Sequence, residues 1–125
     1  MGLNIKECAA MPIVSVILRS YNYENFISET IESVLSQTFR DLELIIVDDA
    51  SKDTSPRIIR NFQEKDPRVK AIFHTQNKGM SITQNDGLNT AQGKYISFID
   101  ADDLWARDKL AEQLKILEKN QNLVV

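Results

Sequence analysis

Four short apolar runs rich in β-branched residues, at 13–18 (IVSVIL), 42–47 (LELIIV), 69–73 (VKAIF) and 95–99 (YISFI), alternate with stretches whose hydrophobic residues recur at helical spacing. A hydrophobic period that switches repeatedly between strand and helix confines the chain to an α/β domain with a mostly parallel sheet. Between the first two runs, Ile27, Ile31, Val34 and Leu35 fall at i, i+4, i+7 and i+8, which predicts an amphipathic helix over about residues 24–37. The second helix opens where Ser51, Asp53 and Thr54 offer capping oxygens and Pro56 suits a first turn. Its buried stripe is Ile58, Ile59 and Phe62, and it ends near Asp66-Pro67. A third helix, about residues 81–90, rests on Ile82 and Leu88 and is weakened by Gly87, which costs about 1 kcal/mol relative to alanine inside a helix. A fourth, about residues 107–120, carries Leu110, Leu114 and Leu117, and residues 122–125 (NLVV) read as the start of a further strand.

Right-handed crossovers carry strands two and three to one side of strand one, and strand four must return on the other for the acidic strand ends to converge. The expected order is therefore 3-2-1-4. A chain of 125 residues is one domain, with residues 1–11 as a flexible lead-in and the fold starting at residue 12. Fifteen Lys and Arg against eighteen Asp and Glu leave a net charge of −3, which argues against a nucleic-acid surface or a polybasic membrane anchor. A single cysteine excludes an internal disulfide, and no apolar run approaches the roughly 20 residues of a membrane span. The cytoplasm is the expected location.

Strand two ends in Asp48-Asp49-Ala50-Ser51 and strand four in Asp100-Ala101-Asp102-Asp103. Open α/β sheets bind ligands at the carboxyl ends of their strands. Three aspartates within four residues repel one another unless a cation or hydrogen-bond donors hold the charges. Carboxylates with water and phosphate oxygens are the ligand set of Mg²⁺ or Mn²⁺; there is no Cys/His cluster for zinc and no glycine-rich phosphate loop. Any one of Asp53, Asp103 or Asp108 alone reads equally well as a helix cap, so the weight lies on the two clusters together. His74, ending strand three, reads as a solvated or half-packed residue, since no metal or catalytic partner is spaced near it. Cys8 reads as an incidental thiol. Tyr21 and Trp105 each follow a strand's carboxyl end, where packing and function are equally open.

The stretches PIVSVILRSYNYENFISETIESVLSQTFRDLELIIVDDAS and NKGMSITQNDGLNTAQGKYISFIDADDLW resemble the amino-terminal half of glycosyltransferase family 2, inverting enzymes with the Rossmann-like GT-A fold. The likeness covers about residues 12–118 and rests on the ordered series SYN, SVLSQTF, VDDAS and DADD. It implies a nucleotide-diphospho-sugar donor, most often UDP-linked, a divalent metal (Mg²⁺ or Mn²⁺) held through a DxD motif, and a place in cell-wall or polysaccharide biosynthesis. Carried over by position, Ser20, Tyr21 and Asn22 form the donor-binding loop after strand one, with Tyr21 against the base. Asp49 accepts a hydrogen bond from the base's imide nitrogen, Asp100 lies by the ribose and the metal's water shell, and Asp102 ligates the metal. Two positions depart from the pattern: Arg19 replaces the usual proline or threonine, and Gln84 stands where many members carry arginine.

In the family the general base and most of the acceptor site lie beyond the position of Val125. Residues 12–125 are therefore expected to be the donor-binding part of a domain cut short before its acceptor half, with a saccharide or lipid-linked acceptor and a peripheral place at the inner membrane face also open. A sheet ending at strand four would leave residues 95–99 as an edge guarded only by Lys94, so a homodimer is a further expectation. Two other classes compete. A nucleotidyltransferase of related fold would usually show a glycine-rich basic loop after strand one, and a phospho-receiver domain would carry its acidic pair on strand one rather than strand two.

Overall fold

The computed structural model describes residues 11–119; the lead-in up to residue 10 and the apolar 122–125 segment lie outside the described residues. The four apolar runs become β1 (Val14–Ser20), β2 (Leu42–Asp48), β3 (Val69–Phe73) and β4 (Tyr95–Asp100), joined by α1 (Ile27–Leu35), α2 (Ser55–Lys65) and α3 (Met80–Thr90) and followed by α4 (Lys109–Lys119). All strands pair in parallel in the order β3-β2-β1-β4, the order predicted from crossover handedness. Three strands outrun their apolar stretches. Ser20 pairs with Asp48 and Arg19 with Asp100, because the backbone ladder continues into polar residues that the hydrophobic pattern does not count.

Successive side chains of a strand point to opposite faces, and both faces are covered here. On one face Val14, Val16 and Leu18 of β1 and Leu42, Leu44 and Ile46 of β2 pack with Ile27, Ile31 and Val34 of α1, Ile59 of α2, and Leu110 and Leu114 of α4. Each fully buried aliphatic side chain in that layer stabilises the fold by roughly 1.5–3 kcal/mol relative to exposure. The opposite face of β1 and β2 receives α3. Gly87 makes that approach possible: a Cβ on it would stand 2.6 Å from Cγ2 of Ile17 and 3.4 Å from Cγ2 of Val47. The helix-weakening residue of the sequence is thus the one that lets the helix dock.

At the amino-terminal end of the sheet the carboxylate of Glu43, 4% exposed, accepts hydrogen bonds from Ser15 Oγ, from the Gln92 N–H at 2.7 Å and from Lys70 Nζ at 2.6 Å. Gly93 N–H in turn donates to Ser15 Oγ at 2.7 Å, so this network ties down the turn entering β4. Among the described residues no helix is long and apolar enough to cross a membrane.

Candidate functional site

The loops after β1 and β2 are built as a pair. Asp48 turns its carboxylate back on its own strand end, accepting the Ser51 N–H at 2.9 Å and Ser51 Oγ–H at 2.6 Å. Asn22 sits in the left-handed region with φ 57°, a conformation its short amide tolerates, and its Oδ1 accepts the Lys52 N–H while its own N–H donates to Ser51 Oγ. Glu24 accepts from the Thr54 N–H and hydroxyl, and Asp53 accepts from the Glu24 N–H. Ala50, φ 63°, has no such excuse; a non-glycine residue there stores about 1 kcal/mol or more of backbone strain directly after Asp49.

Between these loops and the end of β4 lies a cavity of 620 Å³. Ser20, Tyr21 and Asn22, Asp49, and Asp100 and Asp102 all line it, so the residues singled out in the sequence are brought together in one place. Arg19, Tyr23, Met80, Thr83 and Ala101 complete the polar and apolar walls. The hydroxyl of Ser20 is buried without a hydrogen-bond partner among the described residues, an orphaned polar atom on the wall of a cavity. Arg19 lies beside Asp100 across the β1–β4 ladder and donates from Nη2 to its Oδ1 at 2.7 Å, while Asp102 is exposed.

The acidic loop after β4 is held from below by Thr30 of α1 and by the SVLSQTF segment at residues 33–39. Thr30 Oγ1 donates to the Ala101 carbonyl at 2.8 Å, Ser33 Oγ accepts the Trp105 N–H, and buried Gln37 donates to the Ala106 carbonyl while accepting the Leu110 N–H. The motif's polar residues therefore position a loop far from them in sequence. Trp105 packs against the core with Lys109 Nζ 4.7 Å above its ring and is absent from the cavity wall.

His74 corrects the sequence reading. It is buried, not solvated, with Nδ1 2.8 Å from Asp49 Oδ1 and Nε2 2.7 Å from Asp86 Oδ2. Desolvation pulls its pKa down, but the hydrogen bonds and charges of Asp49 and Asp86 outweigh that, and the pKa is raised above 6.5. Asp49 also accepts the N–H of Lys78 at 2.7 Å and of Gly79 at 3.0 Å. Burial alone would raise the Asp49 pKa; the Lys78 N–H, His74 and the Gly79 N–H together hold it below the usual carboxylate range. Gly79 presents its N–H from φ 90°, a backbone state glycine reaches without strain.

No group of three or more His, Cys, Asp or Glu among the described residues is arranged to hold a metal ion by itself. Asp100 and Asp102, two hard carboxylates on one cavity wall, fit a Mg²⁺- or Mn²⁺-type ion only if phosphate oxygens and water supply the remaining positions, which is the usual binding mode of such ions.

This geometry has relatives. A curated glycosyltransferase of Haemophilus influenzae, uncharacterised in function, is 44% identical over 110 residues, 88% of this chain and 44% of its own length. The Escherichia coli enzyme WfaP, named as a UDP-Glc:alpha-D-GlcNAc-diphosphoundecaprenol beta-1,3-glucosyltransferase, is 40% identical over 86% of this chain and 42% of its own. Among solved structures, Staphylococcus aureus TarS residues 1–349 in complex with UDP-GlcNAc superposes with a TM-score of 0.81 at 28% identity, over 86% of this chain and 32% of that one. The Pyrobaculum calidifontis mannosyltransferase PcManGT, in complex with GDP-Man and Mn²⁺, gives 0.79 at 34% identity over the same shares. The chain spans less than half the length of these relatives. They do not favour the receiver or nucleotidyltransferase alternatives. The family model for glycosyl transferase family 2 matches residues 15–125, and the chain belongs to that family.

Proposed function

We propose that residues 12–125 form the donor-binding part of an inverting glycosyltransferase that uses a UDP-sugar and a divalent cation. The observation that carries this reading is the convergence of Ser20, Tyr21, Asn22, Asp49, Asp100 and Asp102 on one cavity whose wall holds the unpartnered Ser20 hydroxyl. Tyr21 flanks the base, and the Asp49 carboxylate accepts from a ring N–H of it. Asp100 would stand by the ribose and the metal, and Asp102 would ligate the metal. The UDP-GlcNAc complex of TarS and the Mn²⁺ in PcManGT support the donor and cation classes.

The bound cation would supply charge for the departing diphosphate. The chain's own residues do the rest of the donor work: Tyr21 and Asn22 orient the nucleoside, and Asp49 selects the base. Inversion requires an acceptor hydroxyl to attack from the face opposite the diphosphate, with a carboxylate taking its proton. That base is not assigned to a residue of this chain. The acceptor is a saccharide or lipid-linked saccharide, a class supported by the WfaP relative, with action at the inner membrane face.

Calorimetry with UDP, GDP and CDP, each with and without Mn²⁺, tests the reading. UDP should bind with Mn²⁺ and far more weakly without it. GDP is the informative competitor, because guanine also presents a ring N–H to a carboxylate, whereas cytosine does not. Equal binding of UDP and CDP would refute base selection by Asp49; stabilisation by beryllofluoride rather than by UDP would favour the receiver class.

A further inference from the structure

We infer that His74 and Asp86 are positioning residues for nucleotide recognition: the His74 imidazolium, anchored by Asp86 of α3, fixes the Asp49 carboxylate as an anion aimed at the base, so selection of a base bearing a ring N–H depends on the charge of His74. This rests on the donor-site reading above. A neutral imidazole carries one N–H, yet the ring has a carboxylate oxygen within hydrogen-bond distance of each nitrogen, at 2.8 and 2.7 Å. Only the imidazolium donates in both directions; the neutral ring would set a lone pair against an anion. His74 is 3% exposed at its side chain, so water does not relieve that conflict.

Among the described residues the charged groups bonded to the ring are Asp49, beyond β2, and Asp86, on α3; Lys52 and Tyr21, of the loops after β2 and β1, line a cavity with His74 without a hydrogen bond to it, Asp48 turns its carboxylate away toward Ser51, and Lys78 contributes its backbone N–H to Asp49. Asp49 Oδ1 is shared by His74 and the Lys78 N–H, and among the described residues Oδ2 receives the Gly79 N–H alone. A carboxylate oxygen has two acceptor directions, so Oδ2 keeps one for a ligand. Asp49 lines the donor cavity and His74 does not, which makes His74 act through Asp49. The raised pKa of His74 places its loss of charge above the ordinary histidine range. His74, buried, and Asp86, half-exposed, thus form a charge relay from the outer helix to the base-reading group.

The test is calorimetric titration of UDP and CDP with Mn²⁺ at about pH 6 to 9 for the wild type, Asp86→Asn, His74→Gln and Asp49→Asn. The readout is the ratio of the CDP to the UDP dissociation constant, in which the phosphate ionisation common to both nucleotides cancels. The wild-type ratio should fall about tenfold as His74 deprotonates. Asp86→Asn, at a site 35% exposed and therefore tolerant, removes an anion that holds the proton and should move that midpoint to lower pH. His74→Gln keeps a donor for Asp49 but no charge, and should show the low ratio at every pH. Nitrogen shifts of the imidazole report the same midpoints independently of folding effects in His74→Gln. If Asp49→Asn lowers the ratio while the wild type is flat with pH and Asp86→Asn is unchanged, the relay is wrong and the donor reading stands. If Asp49→Asn also leaves the ratio unchanged, both fall.

Discussion

Gly87→Ala is expected to destabilise the protein even though it inserts the best helix former into a helix. Within an isolated helix the change would contribute about 0.5–1 kcal/mol of stability. Here the new methyl would stand 2.6 Å from Ile17 Cγ2, where carbon atoms in contact prefer about 3.5–4.0 Å, so about 1 Å must be absorbed. Ile17 is fully buried, and its Cγ2 is fixed by a β-branched χ1 that has no free rotamer to turn into. Overpacking of this kind costs about 1–3 kcal/mol; a contact this short against a buried β-branched carbon belongs to the upper part, about 2–3, and subtracting a helix gain of about 1 leaves a net loss of about 1–2 kcal/mol. For a chain of 125 residues that lowers Tm by roughly 4–8 °C, measurable by circular dichroism and checked by urea midpoints. Ile17→Leu removes Cγ2 at constant volume, so the double variant should lose less than the sum of the single losses. A Tm for Gly87→Ala equal to or above wild type would mean that α3 does not sit this close to β1, and with it the placement of Asp86 against His74 would be undermined.

Three other perturbations reach different parts of the structure. Desolvation would raise the Glu43 pKa, but Lys70, Ser15 and the Gln92 N–H hold it below 4.5; its contribution is present above that value and is lost as pH falls through the folded pKa. Glu43→Gln should therefore cost about 1–3 kcal/mol near neutrality and flatten the acid side of a stability–pH curve measured by urea unfolding, and an unchanged curve would sink the assignment. Asp102→Asn, at an exposed position, should weaken Mn²⁺-dependent UDP binding by tenfold or more with Tm unchanged, since one of two carboxylate contacts is gone and no packing is; equal calorimetric affinity in both proteins would remove Asp102 as a ligand. Along the β4 edge, Phe98 is 45% exposed and borders a 750 Å³ apolar cavity shared with α4, so this 125-residue chain should self-associate in light scattering across a dilution series; a monomer at high concentration would refute it.

The strands were legible because each is a short apolar run with β-branched residues, β1 and β2 being buried on both faces, and the order 3-2-1-4 followed from handedness without side-chain detail. Gly87 shows where local reading stops: propensity registers its cost within α3 and is blind to Ile17, 70 residues earlier in the chain, which sets its value. His74 failed for the same reason. Its partners lie 25 and 12 residues away on different elements, a spacing that belongs to no motif, so it could be found only once the ends of β2 and β3 stood side by side. Ser33 and Gln37 were legible only as members of a recognised segment; their task, holding the loop after β4, depends on a contact about 70 residues away.

Arg19 carries that argument into the site. As a departure from the family pattern it is merely unusual, but the register of β1 against β4 makes it the direct neighbour of Asp100. The pair is partly exposed, so its contribution to stability is small, about 0–1 kcal/mol. Its effect on the two carboxylates is unequal. Asp100 already has a cationic partner within hydrogen-bond distance, while Asp102 forms no ion pair among the described residues and lines the same cavity. On the proposed reading, a metal in the cleft would find one aspartate engaged by arginine and one presented to solvent, which would favour Asp102 as its protein ligand and leave Asp100 sharing its charge with Arg19. On the donor-site reading proposed above, the division of labour inside DADD would follow from strand register at Arg19, one residue before the end of β1, rather than from the spacing of the aspartates.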